Sequence, residues 1–143
     1  MSNILLASEG RAFSRPAIAQ AAALAGRGGT VKILAIARIW GVALGFPNPW
    51  LLPSKQEWAQ QRDNVAAAIA KLEALGVEAS GNVLATRNPS KRIAAEAARL
   101  GCSAIVMAAD APRHQFFAGM FWSQEPYRVK RRTGLPVHLV LEQ

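Results

Sequence analysis

The sequence predicts one α/β domain built on a mainly parallel, five-stranded sheet. Three observations carry that prediction. Short apolar runs without polar alternation recur along the chain, Ile105, Val106 and Met107 being the clearest, and such runs fit strands buried on both faces. They alternate with segments of helical periodicity from one end of the chain to the other, the pattern of strand–helix–strand units. At 143 residues and 51% hydrophobic, the chain is long and apolar enough for one real core.

Residues 3–7 read as the first strand, and Ser8, Glu9, Gly10 and Arg11 as the turn after it. Ser14 is placed to cap the first helix, with Pro16 in the opening turn where its missing N–H costs nothing. That alanine-rich helix runs to about Ala25 and stops at Gly26. Residues 31–39 form the second strand. Residues 40–53 follow, opening on Trp40 and closing on Pro53, with Phe46, Trp50, three prolines and no charged side chain. The prolines exclude a helix or a central strand. The segment therefore reads as an apolar flap over the protein's own helices or as a surface for a protein partner.

Ser54 and Glu57 have the spacing of a capping box, and Trp58, Val65, Ile69 and Leu72 give the second helix its apolar stripe. Residues 77–85 make a third strand of mixed character, nearer an edge. Ser90 is the expected N-cap of the third helix, whose buried face is Ile93, Ala97 and Leu100. Lys91 and Arg92 lie in its first turn, beside the positive end of the helix dipole, where a bound anion would offset the repulsion. Cys102 reads as a buried structural thiol ahead of the fourth strand, residues 104–108. Ser123 is placed to cap the last helix, which ends in Lys130, Arg131 and Arg132. Val137, His138, Leu139, Val140 and Leu141 make the final strand.

The formal charge is +8, from 17 Lys and Arg against 9 Asp and Glu. Such a balance favours anionic partners, but the cations are spread along the chain. Only the 128–132 cluster is dense, and there the cations complement the helix's negative end. Nucleic acid is therefore not expected as a partner. No apolar run is long enough to span a membrane and no secretory leader is evident. A single cysteine excludes an internal disulfide and suits the cytoplasm.

Several stretches resemble the universal stress protein family in order and spacing. Ile4 to Gly10 with Ser14 after them resemble its first strand and loop. Arg87, Asn88, Pro89 and Ser90, then Ile93, Ala97 and residues 104–107, resemble its third helix and fourth strand. Leu135, Pro136 and Val137 resemble its last strand. The resemblance covers essentially the whole chain. It implies a doubly wound, Rossmann-like sheet of order 3-2-1-4-5 with helices on both faces, of the adenine nucleotide α-hydrolase-like kind. It also implies a homodimer formed through the last strand, here residues 137–141. ATP-binding members carry Gly-x2-Gly-x9-Gly-Ser/Thr after the fourth strand, glycines that let backbone N–H groups approach phosphate. Here Ala108 and Ala111 stand at the first two positions, and Phe121 and Trp122 at the last two. Glu9 stands near the family's usual Asp.

Ligands of open α/β sheets sit beyond the carboxyl ends of the strands where strand order reverses. The candidate crevice is accordingly Ser8, Glu9, Ala108, Asp110, Arg113, His114 and Ser123. No catalytic set is expected. With His114 and His138 the only histidines, no metal is expected either. The reading is a cytoplasmic, non-enzymatic stress-response protein that binds regulatory or protective ligands or partners, belongs to the members lacking the glycine-rich motif, and needs no cofactor. The alternative is an ATP- or AMP-binding stress protein or slow ATPase, with Arg113, His114 and Ser123 holding phosphate in place of the glycines.

Overall fold

The computed structural model describes residues 2–38, 55–110 and 125–142. The apolar segment 40–53, the expected cap Ser54 and the loop residues 111–124 lie outside them. Five strands and four helices alternate in the described residues: β1 (Asn3–Ser8), α1 (Arg15–Ala25), β2 (Thr30–Arg38), α2 (Lys55–Ala74), β3 (Glu78–Thr86), α3 (Pro89–Arg99), β4 (Ala104–Asp110), α4 (Glu125–Arg132) and β5 (Val137–Glu142). They form one sheet of order β3-β2-β1-β4-β5, and every neighbouring pair is parallel.

The unalternated apolar runs are central strands because both of their faces are covered. On one face Ile4, Leu6, Val31, Ile33 and Val106 meet Ala17, Ile18 and Ala21 of α1 and Val65, Ala68 and Leu72 of α2. On the other, Leu5, Ala7, Leu34, Ile36, Ile105 and Met107 meet Ile93 and Ala97 of α3 and Val129 of α4. Successive strand residues thus feed two separate cores, as period-two side chains must. The sheet is doubly wound, with α1 and α2 on one side and α3 and α4 on the other.

Ala17, Ala21 and Ala25 of α1 lie against the sheet while Ala19 and Ala23 face solvent, and Ser14 Oγ accepts from the Ala17 N–H to cap the helix. At α3 the cap is Asn88 in place of Ser90: Asn88 Oδ1 accepts from the Lys91 N–H, and Pro89 takes the first helical position. Proline at that position fixes the helical φ and leaves the residue before it as cap, so Ser90 falls inside the first turn and is buried. β3 is an edge strand, as its mixed character implied. β4 continues two residues past the expected end, so Ala108 is a ladder residue in register with Val140. Cys102 is buried, and that burial pushes its thiol pKa up, with Lys32 opposing. No described helix is long and apolar enough to cross a membrane.

Candidate functional site

β1 lies between β2, which leads toward β3, and β4, which leads toward β5. The strand order reverses between β1 and β4, and their carboxyl ends flank the crevice where such sheets hold ligands. Their ladder runs from Ile4 beside Ala104 to Ala7 beside Met107, so Ser8 and Ala108 follow at its end.

The turn leaving β1 is held by its own side chains and by α2. Ser8 Oγ donates to the Arg11 carbonyl and accepts from the Gly10 N–H. Gly10 has φ 126°, in the region that only glycine enters without strain. Its carbonyl accepts from Gln61 Nε2 of α2 at 3.0 Å, and Gln61 Oε1 accepts from Asn64 Nδ2 at 3.3 Å. Gln61 is buried, so α2 clamps the turn through a satisfied amide.

This clamp places Glu9 at the crevice with only 6% of its surface exposed. Its Oε1 lies 3.3 Å from Arg11 Nη2. Its Oε2 is buried and accepts no hydrogen bond from the described residues. A buried acceptor oxygen in that condition is costly, on the order of 1–3 kcal/mol, and is satisfied by any N–H or O–H brought to it.

The structure therefore gathers Ser8, Glu9 and Ala108 at one end of the β1–β4 pair. Asp110 ends β4, in register with Glu142 of β5. Arg113, His114 and Ser123 lie outside the described residues. Gly10 lies in the Ser8–Arg11 turn that the sequence reading assigned to the crevice, and Gln61, which that reading did not include, is bonded to it. Gln61 left a readable trace, since it falls three residues after Trp58 and four before Val65, on the stripe that α2 buries. A polar residue on such a stripe needs an internal partner. The pairing with Gly10, 51 residues away, left none.

A parallel sheet of this order, with helices on both sides, defines a doubly wound, Rossmann-type α/β protein class. The chain belongs to the universal stress protein family, whose model matches residues 1–140. Comparison with curated protein sequences finds no match. Among solved structures it is similar to a universal stress protein family member from Burkholderia pseudomallei, at 19% identity and TM-score 0.69, over 97% of this chain and 95% of that one. It is also similar to the universal stress protein from Archaeoglobus fulgidus in complex with dAMP, at 17% identity and TM-score 0.71, over 98% of both chains. A universal stress protein in complex with cAMP is 15% identical at TM-score 0.68, over 99% of this chain and 98% of that one. At such identities the likeness carries the fold.

Proposed function

We propose that this protein is a non-enzymatic binding member of its family, with a regulatory or protective role in the stress response, acting in the cytoplasm as a homodimer. Its ligand is held at the β1–β4 crevice by donor groups rather than by a glycine phosphate cradle. The observation that carries this reading is the buried, unpartnered Oε2 of Glu9. It calls for an N–H or O–H from the ligand, and a carboxylate oxygen cannot donate a hydrogen bond to a phosphate. Ala108 adds support. It stands where the resemblance places the first cradle glycine, and its Cβ is buried in the β4 ladder.

The alternative, an adenine-nucleotide binder or slow ATPase, draws support from the relatives solved with dAMP and cAMP. Calorimetric titration of nucleotide-stripped protein with adenosine, AMP, cAMP and ATP with Mg²⁺ separates the two. If the donor-led reading holds, adding phosphates to adenosine tightens binding by less than about tenfold, equivalent to ~1.4 kcal/mol. ATP bound a hundredfold or more tighter than adenosine, or ATP turned over, would overturn it in favour of the alternative. Glu9→Gln supplies the control: loss of the adenosine heat on substitution ties the ligand to that carboxylate.

A further inference from the structure

We propose that the outer face of α3 and α4 binds the phosphate backbone of duplex nucleic acid, without reading its sequence. The cations that look dispersed along the chain are gathered by the fold. α3 and α4 pack against each other on one side of the sheet. Together they carry Lys91, Arg92, Arg99, Arg128, Lys130, Arg131 and Arg132 against Glu96 and Glu125, a net +5 in nineteen residues. On the opposite side α1 and α2 carry four cations against three carboxylates, a net +1 in thirty-one residues. Most of the chain's +8 therefore lies on one side.

The seven cations are exposed. Glu96 is 6% exposed and clasped by Arg99 and Arg92; it offsets one of their two charges, as the net +5 already counts. α3 ends just before β4 and α4 just before β5. Because Ile105 and Val137 are neighbours in the sheet, the two helices finish at the same end of the molecule. Arg99 and the run Lys130, Arg131 and Arg132 therefore lie toward that same end. Beside it Arg99 and Lys32 line a cavity of about 170 Å³ together with Ser80 and Asn82. At the other end of α3, Lys91 and Arg92 line a depression of about 210 Å³ with Thr86 and Asn88. Lys, Arg, Ser, Thr and Asn side chains are the groups that contact nucleic-acid phosphates. The band they form follows α3 for about 16 Å, the length of eleven helical residues at ~1.5 Å each. That reach matches about five phosphates of one strand at ~3.4 Å each.

Complementing the helix dipole accounts for cations at the carboxyl ends of α3 and α4 but not for Lys91 and Arg92, which sit at the wrong end for it with no acid in that turn. The kind of polyanion follows from what accompanies the charge. Among the described residues the exposed large apolar side chains are Leu75 and Leu141, and neither lies on α3 or α4. Among the described residues the face thus lacks the apolar wedge of a membrane-surface helix, and its one aromatic side chain, Tyr127, is half-buried rather than an open stacking platform. A phosphate-only contact to a duplex needs neither.

Fluorescence anisotropy with two labelled 20-base-pair duplexes of unrelated sequence tests the proposal on the full chain. Both should bind alike, and log K should fall against log salt with a slope of about −4. The combined variant Lys91→Gln, Lys130→Gln, Arg131→Gln, Arg132→Gln should bind at least tenfold more weakly, with a slope shallower by about 3.6. Should that variant fold poorly, the pair Arg131→Gln, Arg132→Gln is expected to lower the slope by about two. Arg62→Gln with Lys71→Gln, on the other side, should change nothing. The proposal fails if no duplex binds at 50 mM salt, if the α3–α4 variants keep the wild-type slope, or if the opposite-face pair loses as much. Binding to phosphatidylserine vesicles without binding to duplex would also overturn it and assign the face to membranes.

Discussion

Glu96 lies on the apolar side of α3, three residues after Ile93, and stays ionised there through its neighbours. Arg99 donates from Nε to Oε1 at 3.1 Å and from Nη2 to Oε2 at 2.7 Å, and Arg92 Nε lies 3.8 Å from Oε1. The Arg99 hydrogen bonds hold the carboxyl below its ordinary value of 4.5; burial pushes the other way, and the charges of Arg99 and Arg92 add to the lowering. A carboxyl depressed on folding stabilises the fold above its unfolded pKa, and that contribution is lost as pH falls through the folded one. Glu96→Gln should therefore lower the urea midpoint at pH 7. The gap from wild type should shrink steadily below pH 4.5. A gap that stays constant across the acid range would mean the carboxylate's charge contributes nothing. Glu9 differs in kind, because its Oε1 is paired and its Oε2 is not. One buried carboxylate is spent on the fold, and the other is the one the proposed ligand would engage.

Between α2 and the sheet, packing turns on a residue with no side chain. A Cβ added to Gly81 of β3 would lie 2.5 Å from Val65 Cγ1 of α2 and 3.0 Å from Ile33 Cβ of β2. A glycine within a strand often marks such a close approach. Gly81→Ala should push α2 off the edge of the sheet and cost about 1–3 kcal/mol, read as a lower urea midpoint with an unchanged m-value. An unaffected midpoint would show that α2 can shift freely, and with it the Gln61 clamp on Gly10. Gly81 also shows which features of the molecule were legible in sequence. Strand runs, the Ser14 cap and the α2 stripe depend on residues a few places apart, so their periods and caps stand in the sequence itself. The Gly81 contact, the Gln61–Gly10 bond and the gathering of cations on α3 and α4 join distant residues, and only the fold creates them. The cap at Asn88 was local and still misread, because Pro89 moves the helix start two residues earlier than a serine-first reading places it. Of the crevice, the positions of Ser8, Glu9 and Ala108 followed from the switch-point rule, whereas the unpartnered oxygen of Glu9 is a property of packing.

At the scale of the whole molecule, the two edges of the sheet differ in how they meet solvent. β3 shows Glu78, Ser80, Gly81 and Asn82 along half its length, polar and small residues that discourage pairing. β5 is Val137, His138, Leu139, Val140 and Leu141, with no Lys, Pro or bulge to blunt it and with Leu141 54% exposed. The proposed homodimer pairs along this open edge, and the ladder geometry gives a clean test. Ile105 donates its N–H to the Pro136 carbonyl. Main-chain groups of successive strand residues point alternately to the two sides. Residues 136, 138 and 140 therefore face β4, while residues 137, 139 and 141 face outward. Leu139→Pro removes an outward N–H and leaves the β4–β5 ladder whole; His138→Pro removes an inward one and should damage the fold itself. Sedimentation equilibrium should find the wild type dimeric and Leu139→Pro monomeric, with an unchanged far-ultraviolet circular dichroism spectrum. A Leu139→Pro protein that remains a folded dimer would place the interface elsewhere, because no pairing along β5 survives without the N–H groups that face it.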